Sequence, residues 1–136
     1  MLAICLAACL NGADVVFALD ASDSVGFVDF QLMTHFVGMV IQTLDIDSVT
    51  SGPTISRVGL IIYSDSPVLK FNLNRYTTKA ALLQAVNVPY LTGSTNTAQT
   101  IRFTIIVTNH HEYYRIVFTS NSSVAHCQYQ GVVRQG

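Results

Sequence analysis

The run Asp14-Val15-Val16-Phe17-Ala18-Leu19-Asp20 constrains this chain more than any other segment. Its apolar side chains follow one another without a polar position, so a strand built from them has no face to turn toward water. Such a strand has to be covered on both sides, as an inner strand of a parallel sheet is. Half of the 136 residues are hydrophobic and only 11% are charged. That is enough for one domain with a continuous core, and it is far from the composition of a disordered chain.

The period then changes. Between Phe27 and Ile46, the residues Phe30, Met33, Val37, Val40, Ile41 and Leu44 recur at three- and four-residue steps. Gln31, His35 and Gln42 fall on the opposite side, which predicts an amphipathic helix of about five turns. Gly52-Pro53 marks a turn after it. Arg57–Tyr63 reads as a second apolar strand and Val68–Leu73 as a third, with Ser66-Pro67 making a tight connection. A short helix is expected over Thr77–Val86, capped by Thr77 or Thr78, and another from Ala98 after the polar loop Leu91–Thr97. This order predicts an α/β sandwich with a mainly parallel sheet and one antiparallel edge strand. Farther on, Ile105–Val107 and Arg115–Thr119 both read as strands.

Charge narrows the function classes. Seven Lys and Arg stand against eight Asp and Glu, for a net charge of −1. The basic residues are scattered, so no stripe for nucleic acid or an anionic membrane is expected. The apolar run Leu2–Leu10 is too short to cross a bilayer. It suits the core of a signal peptide, although no Lys or Arg precedes it. Residues 1–12 are therefore read as a signal remnant, with a fragment boundary or a buried first strand as alternatives; Leu6-Ala7-Ala8-Cys9 also has the look of a lipoprotein signal. Residues 13–136 are read as a single domain. Cys5, Cys9 and Cys127 cannot all pair within one chain; a Cys9–Cys127 bridge and buried free thiols both stay open. The triplet Asn121-Ser122-Ser123 would fit a secreted protein.

The chemistry is concentrated where the first strand ends, in Asp20-Ala21-Ser22-Asp23-Ser24. Ligands of open α/β sheets bind outside the carboxyl ends of the strands. A carboxylate and two hydroxyls at alternate positions there can turn three oxygens toward one point, a donor set suited to a hard cation such as Mg²⁺ or Mn²⁺. Gly93-Ser94-Thr95-Asn96-Thr97 forms a second hydroxyl-rich loop. His110-His111-Glu112 with His126 lacks the spacing of a helix-borne zinc site and reads as a solvated loop. Asp45 and Asp47 read as a solvated helix end, and His35 as exposed. Tyr113-Tyr114 reads as strand packing. No nucleophile elbow, Walker loop or dinucleotide fingerprint occurs in the sequence, and no enzyme is expected.

From Ala13 to Phe103 the chain resembles the von Willebrand factor A (VWA) family, in its extracellular-matrix branch of matrilin and collagen VI modules. Asp20-Ala21-Ser22-Asp23-Ser24 matches that family's metal-ion-dependent adhesion motif. Ser56-Arg57-Val58-Gly59-Leu60-Ile61-Ile62-Tyr63-Ser64 looks like its second strand, and the likeness continues through Val68–Val86 into the Gly-Ser-Thr-Asn-Thr loop. The resemblance implies a Rossmann-like, doubly wound α/β fold. It also implies Mg²⁺ or Mn²⁺ held by Ser22 and Ser24 directly, by Asp20 directly or through water, and by Thr95 from the second loop. An acidic residue of an extracellular protein partner, such as a matrix collagen, would fill the open coordination position. The implied function is metal-dependent adhesion by a secreted matrix or cell-adhesion protein. The alternative is a structural module whose incomplete site binds no metal.

Two departures from the family bear on this. Asp23 stands where the family often has Gly; it either tightens cation binding or repels an acidic ligand. The family's further Asp after the fourth strand is replaced, by Ser120 if Arg115–Thr119 is that strand, or by Asn109 if Ile105–Val107 is. On either alignment the last strands and closing helix are absent or altered, which makes the fold incomplete at its C-terminal end.

Overall fold

The structure, a computed structural model, describes residues 12, 14–47, 55–108, 114–119 and 126–130, with side chains as far as residue 104. In chain order the elements are β1 (Asp14–Asp20), α1 (Phe27–Thr43), β2 (Arg57–Tyr63), β3 (Pro67–Phe71), α2 (Lys79–Ala85), α3 (Thr97–Thr108), β4 (Tyr114–Thr119) and β5 (His126–Gln130). The strands form one sheet in the order β3-β2-β1-β4-β5.

The doubly apolar run takes the centre of that sheet. β1 pairs in parallel with β2 on one side and with β4 on the other. β3 is antiparallel to β2 at one edge, and β5 is antiparallel to β4 at the other. The expected antiparallel edge strand is therefore present, and the structure adds a second. The C-terminal ends of β1, β2 and β4 lie at the same end of the sheet, because these three strands run the same way.

Side chains of β1 alternate between two covered faces. Val15, Phe17 and Leu19 pack with Val58, Leu60 and Ile62 of β2 beneath Phe30, Val37, Val40 and Ile41 of α1 and Leu82 of α2. Val16 and Ile61 face the other way, toward Leu73 and Phe103 of α3. Every apolar side chain from Val15 to Leu19 is at most 3% exposed, as a strand covered on both faces requires. The helical stripe behaves as its spacing predicts: Met33 is half-buried and the other members are buried, while His35 is exposed.

Several boundaries differ from expectation; the third strand runs Pro67–Phe71 instead of Val68–Leu73. The first helix stops at Thr43 instead of Ile46, because Leu44 is extended (φ −79°, ψ 149°) and donates its N–H to the Ile41 carbonyl at 3.2 Å. Leu44 and Ile46 still reach the core, from outside the helix. The second helix starts after Thr78, whose hydroxyl accepts from the Ala81 N–H at 3.3 Å. Asp47 ends no helix; its carboxylate accepts the Lys79 N–H at 2.7 Å and so helps cap α2.

The larger correction concerns Ile105–Val107, read from sequence as a strand: it lies in α3. The face this helix turns inward carries Thr100 and Thr104, each bonding back to the carbonyl four residues earlier, at 2.8 and 2.7 Å. Polar residues on the inner face conceal the helical period and leave the apolar triplet looking strand-like. Asn109 therefore follows a helix, and β4 is the fourth strand. Thr119 at the end of β4 pairs with Leu19, one residue before Asp20.

The apolar N-terminal run with Cys5 and Cys9, the Gly52-Pro53 turn, Asn109, His110-His111-Glu112, Tyr113, Ser120 and the Asn121 triplet lie outside the described residues. So do the side chains of His126 and Cys127 on β5. Among the described residues no helix is long and apolar enough to cross a membrane.

Candidate metal centre

Asp20 closes β1 at the centre of the sheet, and the chain then has to turn away from the strand end. The Ala21 N–H bonds the Tyr63 carbonyl at 2.8 Å, extending the β1–β2 pairing by one residue. A tight turn follows, in which Val25 N–H donates to the Ser22 carbonyl at 3.1 Å. Gly26 then starts α1 at φ 80°, ψ 159°, a conformation open essentially to glycine alone. Its carbonyl accepts the Phe30 N–H at 3.0 Å, closing the first helical turn. Tyr90 holds the same turn from outside: its hydroxyl donates to the Ser22 carbonyl at 2.8 Å, and its ring packs on Phe30 and Phe27.

The four oxygen-bearing side chains singled out in the sequence meet here. Asp20 Oδ1 accepts from the Ser22 hydroxyl at 2.6 Å and from the Ser22 N–H at 3.0 Å. Ser22 Oγ lies 3.0 Å from Ser24 Oγ and accepts from Thr95 Oγ1 at 2.8 Å. A hydroxyl has one proton to give and two lone pairs to receive with. Ser22 spends its proton on Asp20, so it accepts from both Ser24 and Thr95. Asp20 and Ser22 are buried, at 4% and 1% exposed, while Ser24 and Thr95 are exposed. The cluster thus has a fixed floor and an open rim.

Thr95 is brought in by a loop with no regular structure, held at several points. Asp23 N–H donates to the Gly93 carbonyl at 2.9 Å, and Asn96 N–H to the Ser64 carbonyl at 2.9 Å. Asp65, after β2, accepts from both the N–H of Ser94 (2.8 Å) and its hydroxyl. These two bonds pull the Asp65 carboxyl below its ordinary 3.8. Asn96 then caps α3, accepting the Gln99 N–H at 3.1 Å while its amide donates to the Gln99 side chain at 2.9 Å.

Tyr63 borders the floor, paired with Asp20 across the parallel ladder. Burial, then the neighbouring Asp20 charge, push its hydroxyl up to about 12, against a hydrogen bond with the Thr97 side chain that acts the other way.

Sequence reasoning found all four clustered residues. It missed Tyr63, Asp65 and Tyr90 as parts of the surroundings. Asp65 and Tyr90 carry no local signal, because their contacts cross 29 and 68 residues of chain. Asn96 as a helix cap was legible, with Gln99 three residues on.

One carboxylate with three hydroxyls is an all-oxygen donor set. Octahedral ligands at the 2.0–2.1 Å bond length of Mg²⁺ lie about 2.9 Å apart, whereas those of Ca²⁺ at 2.3–2.6 Å lie about 3.5 Å apart. The oxygen separations of 2.6, 2.8 and 3.0 Å, all from Ser22 Oγ, are hydrogen-bond lengths that also lie in the range of the smaller ion. The residues present fit a small hard cation, with water or an outside group completing its coordination.

A family model described as "von Willebrand factor type A domain" matches residues 14–132, and so continues past Phe103 into β5. Matrilin-1 of Homo sapiens is 39% identical over 93 residues, which is 68% of this chain and 18% of matrilin-1. The collagen alpha-4(VI) chain of Mus musculus is 37% identical over 92 residues, 67% of this chain and 4% of that one. This chain thus spans less than a fifth of either relative. Among solved structures, proximal thread matrix protein 1 from the mussel byssus "with zinc occupied MIDAS motif" superposes with a TM-score of 0.67. At 22% identity, covering 81% of this chain and 28% of that one, it supports the fold. The continuous family match and the matrilin and collagen relatives agree on one assignment: this chain belongs to the von Willebrand factor type A domain family.

Proposed function

We propose that this domain is a protein-binding module of an extracellular matrix or cell-adhesion protein, and that it contacts its partner through a divalent cation, Mg²⁺ or Mn²⁺. The observation that carries the reading is the convergence of Asp20, Thr95 and Ser24 on Ser22 as an all-oxygen donor set, the kind a small hard cation takes. Asp20 supplies the anionic charge among these four; the other three donate neutral hydroxyl oxygens. A cation held this way keeps most of its charge and would give an outside carboxylate a strong point of attachment. Ser24 and Thr95 are on the exposed rim, where an acidic side chain of a partner can approach. Asp20 and Ser22 form the buried floor and set the depth of the ion. The partner class is therefore an extracellular protein offering a carboxylate, with matrix collagens the first to try.

A second reading has its own support. The hydrogen bonds of the cluster close without any ion, since Ser22 uses its single proton and accepts twice. The residue after β4 is Ser120, where the family usually has an Asp. On that basis the domain is a structural module that binds through other surfaces. Surface plasmon resonance against a panel of matrix proteins separates the two. The metal reading expects binding in Mg²⁺ that EDTA abolishes and that Asp20→Ala and Ser22→Ala both remove. Binding that survives EDTA and both substitutions would establish the structural module instead.

A further inference from the structure

Thr95 differs from the other three clustered residues in how it is held. Asp20, Ser22 and Ser24 sit within five residues at the end of a central strand, whereas Thr95 arrives on an irregular, largely exposed loop. Something has to fix that loop against the loss of conformational freedom. Two of its tethers run to the turn after β2: Asn96 N–H to the Ser64 carbonyl, and Ser94 to Asp65. The tether at Asp65 is the one made by a charged side chain. Its Oδ1 accepts two hydrogen bonds from Ser94, the residue immediately before Thr95.

The loop also lies directly against that carboxylate. Gly93 is at φ 109°, and a Cβ built there would stand 2.6 Å from Asp65 Oδ2 and 3.0 Å from Cγ. Only a residue without a side chain lets the backbone come this close. Contact at Gly93 and hydrogen bonding at Ser94 locate the carboxylate from two sides. Neither bears on the core, since Asp65 and Ser94 are both exposed.

We infer that Asp65 is a positioning residue for the cation site: it clamps Gly93-Ser94 so that Thr95 Oγ1 stays within reach of Ser22. The inference rests on the metal reading above and names a residue that reading does not include. Asp65 touches none of the four oxygens, so its effect passes through the loop. Partners that orient metal ligands typically cost about ten- to a hundredfold in affinity when removed. Thr95 is one neutral donor among four, which places Asp65 at the lower end, about tenfold.

Isothermal titration of the full chain with MnCl2 tests this, for the parent, Asp65→Ala, Asp65→Asn, Ser94→Ala and the Asp65→Ala/Ser94→Ala double variant. The expected result is a Kd raised about tenfold by Asp65→Ala, with an unchanged melting temperature in EDTA. Asp65→Asn keeps an acceptor oxygen and should recover part of the loss. Ser94→Ala keeps its N–H and should lose less than Asp65→Ala, and the double variant should be no worse than Asp65→Ala alone. An Asp65→Ala Kd equal to the parent's overturns the inference, and so do losses from Asp65 and Ser94 that simply add. If the parent itself takes up no Mn²⁺, the metal reading fails and this inference falls with it. That defect would be in the parent, and so distinct from one confined to the variants.

Discussion

Gly93→Ala is the substitution whose cost the structure defines most sharply. Two effects act together. At φ 109° an alanine is forced into a backbone region that side chains avoid, which costs about 1–3 kcal/mol. Its methyl group would also stand 2.6 Å from Asp65 Oδ2, closer than any real Cβ contact. The carboxylate is exposed and can swing away, so the clash is relieved by giving up the Ser94 bonds instead of by unfolding. The net expectation is a loss of about 1–3 kcal/mol from backbone strain, or roughly 3–10 °C in Tm for a domain of this size. Urea denaturation in EDTA measures it. The Asp65→Ala background supplies the control: with the carboxylate gone the clash vanishes, while the backbone cost remains. A Gly93→Ala chain as stable as the parent would refute the reasoning, because neither the backbone conformation nor the close approach could then be as described.

Other consequences are simpler. Gly38 lies in α1, where an added Cβ would meet Leu83 Cδ2 at an ordinary 3.6 Å, so Gly38→Ala should stabilise the chain by about 0.5–1 kcal/mol in the same urea assay. Leu82 is the fully buried residue through which α2 joins the core, and Leu82→Ala should cost about 2–5 kcal/mol in that assay. Tyr63, pushed up to about 12 by burial and by Asp20, should be among the last tyrosines to ionise in an ultraviolet pH titration; Asp20→Asn should bring it down, though not to 10.0, because burial is the larger cause. The sign for stability follows: a raised folded-state value means the contribution of Tyr63 is complete below pH 10 and is lost as the pH rises through 10 toward about 12.

How far the sequence could be read depended on whether each signal was local. Asp14–Asp20 declared a doubly covered strand because no polar residue interrupts it, and the stripe from Phe30 to Leu44 declared the helix above it. The cluster was legible for the same reason: Asp20, Ser22 and Ser24 are spaced along one turn, and Thr95 stands in a loop of small polar residues. Where tertiary contacts decide, local pattern failed. α3 hides its inner face behind Thr100 and Thr104, so Ile105–Val107 read as a strand. β5 is an edge strand of sequence His-Cys-Gln-Tyr-Gln, whose alternation rests on only two apolar positions, Cys127 and Tyr129, too few to announce it. Asp65 and Tyr90 carry meaning only through partners far along the chain.

The central claim is that four side-chain oxygens at the end of β1 hold a divalent cation. A thermal melt of the chain in EDTA, then in millimolar Mg²⁺ or Mn²⁺, with Ser22→Ala alongside, tests it most directly. Ser22 touches each of the other three, so its hydroxyl cannot be lost without dispersing the cluster. A ligand bound by the folded state alone, at about 100 times its Kd, adds about 2.7 kcal/mol. The account predicts a rise in Tm of several degrees for the parent and none for Ser22→Ala. A parent chain whose Tm is the same in EDTA and in metal, or a Ser22→Ala chain that gains as much as the parent, would contradict it.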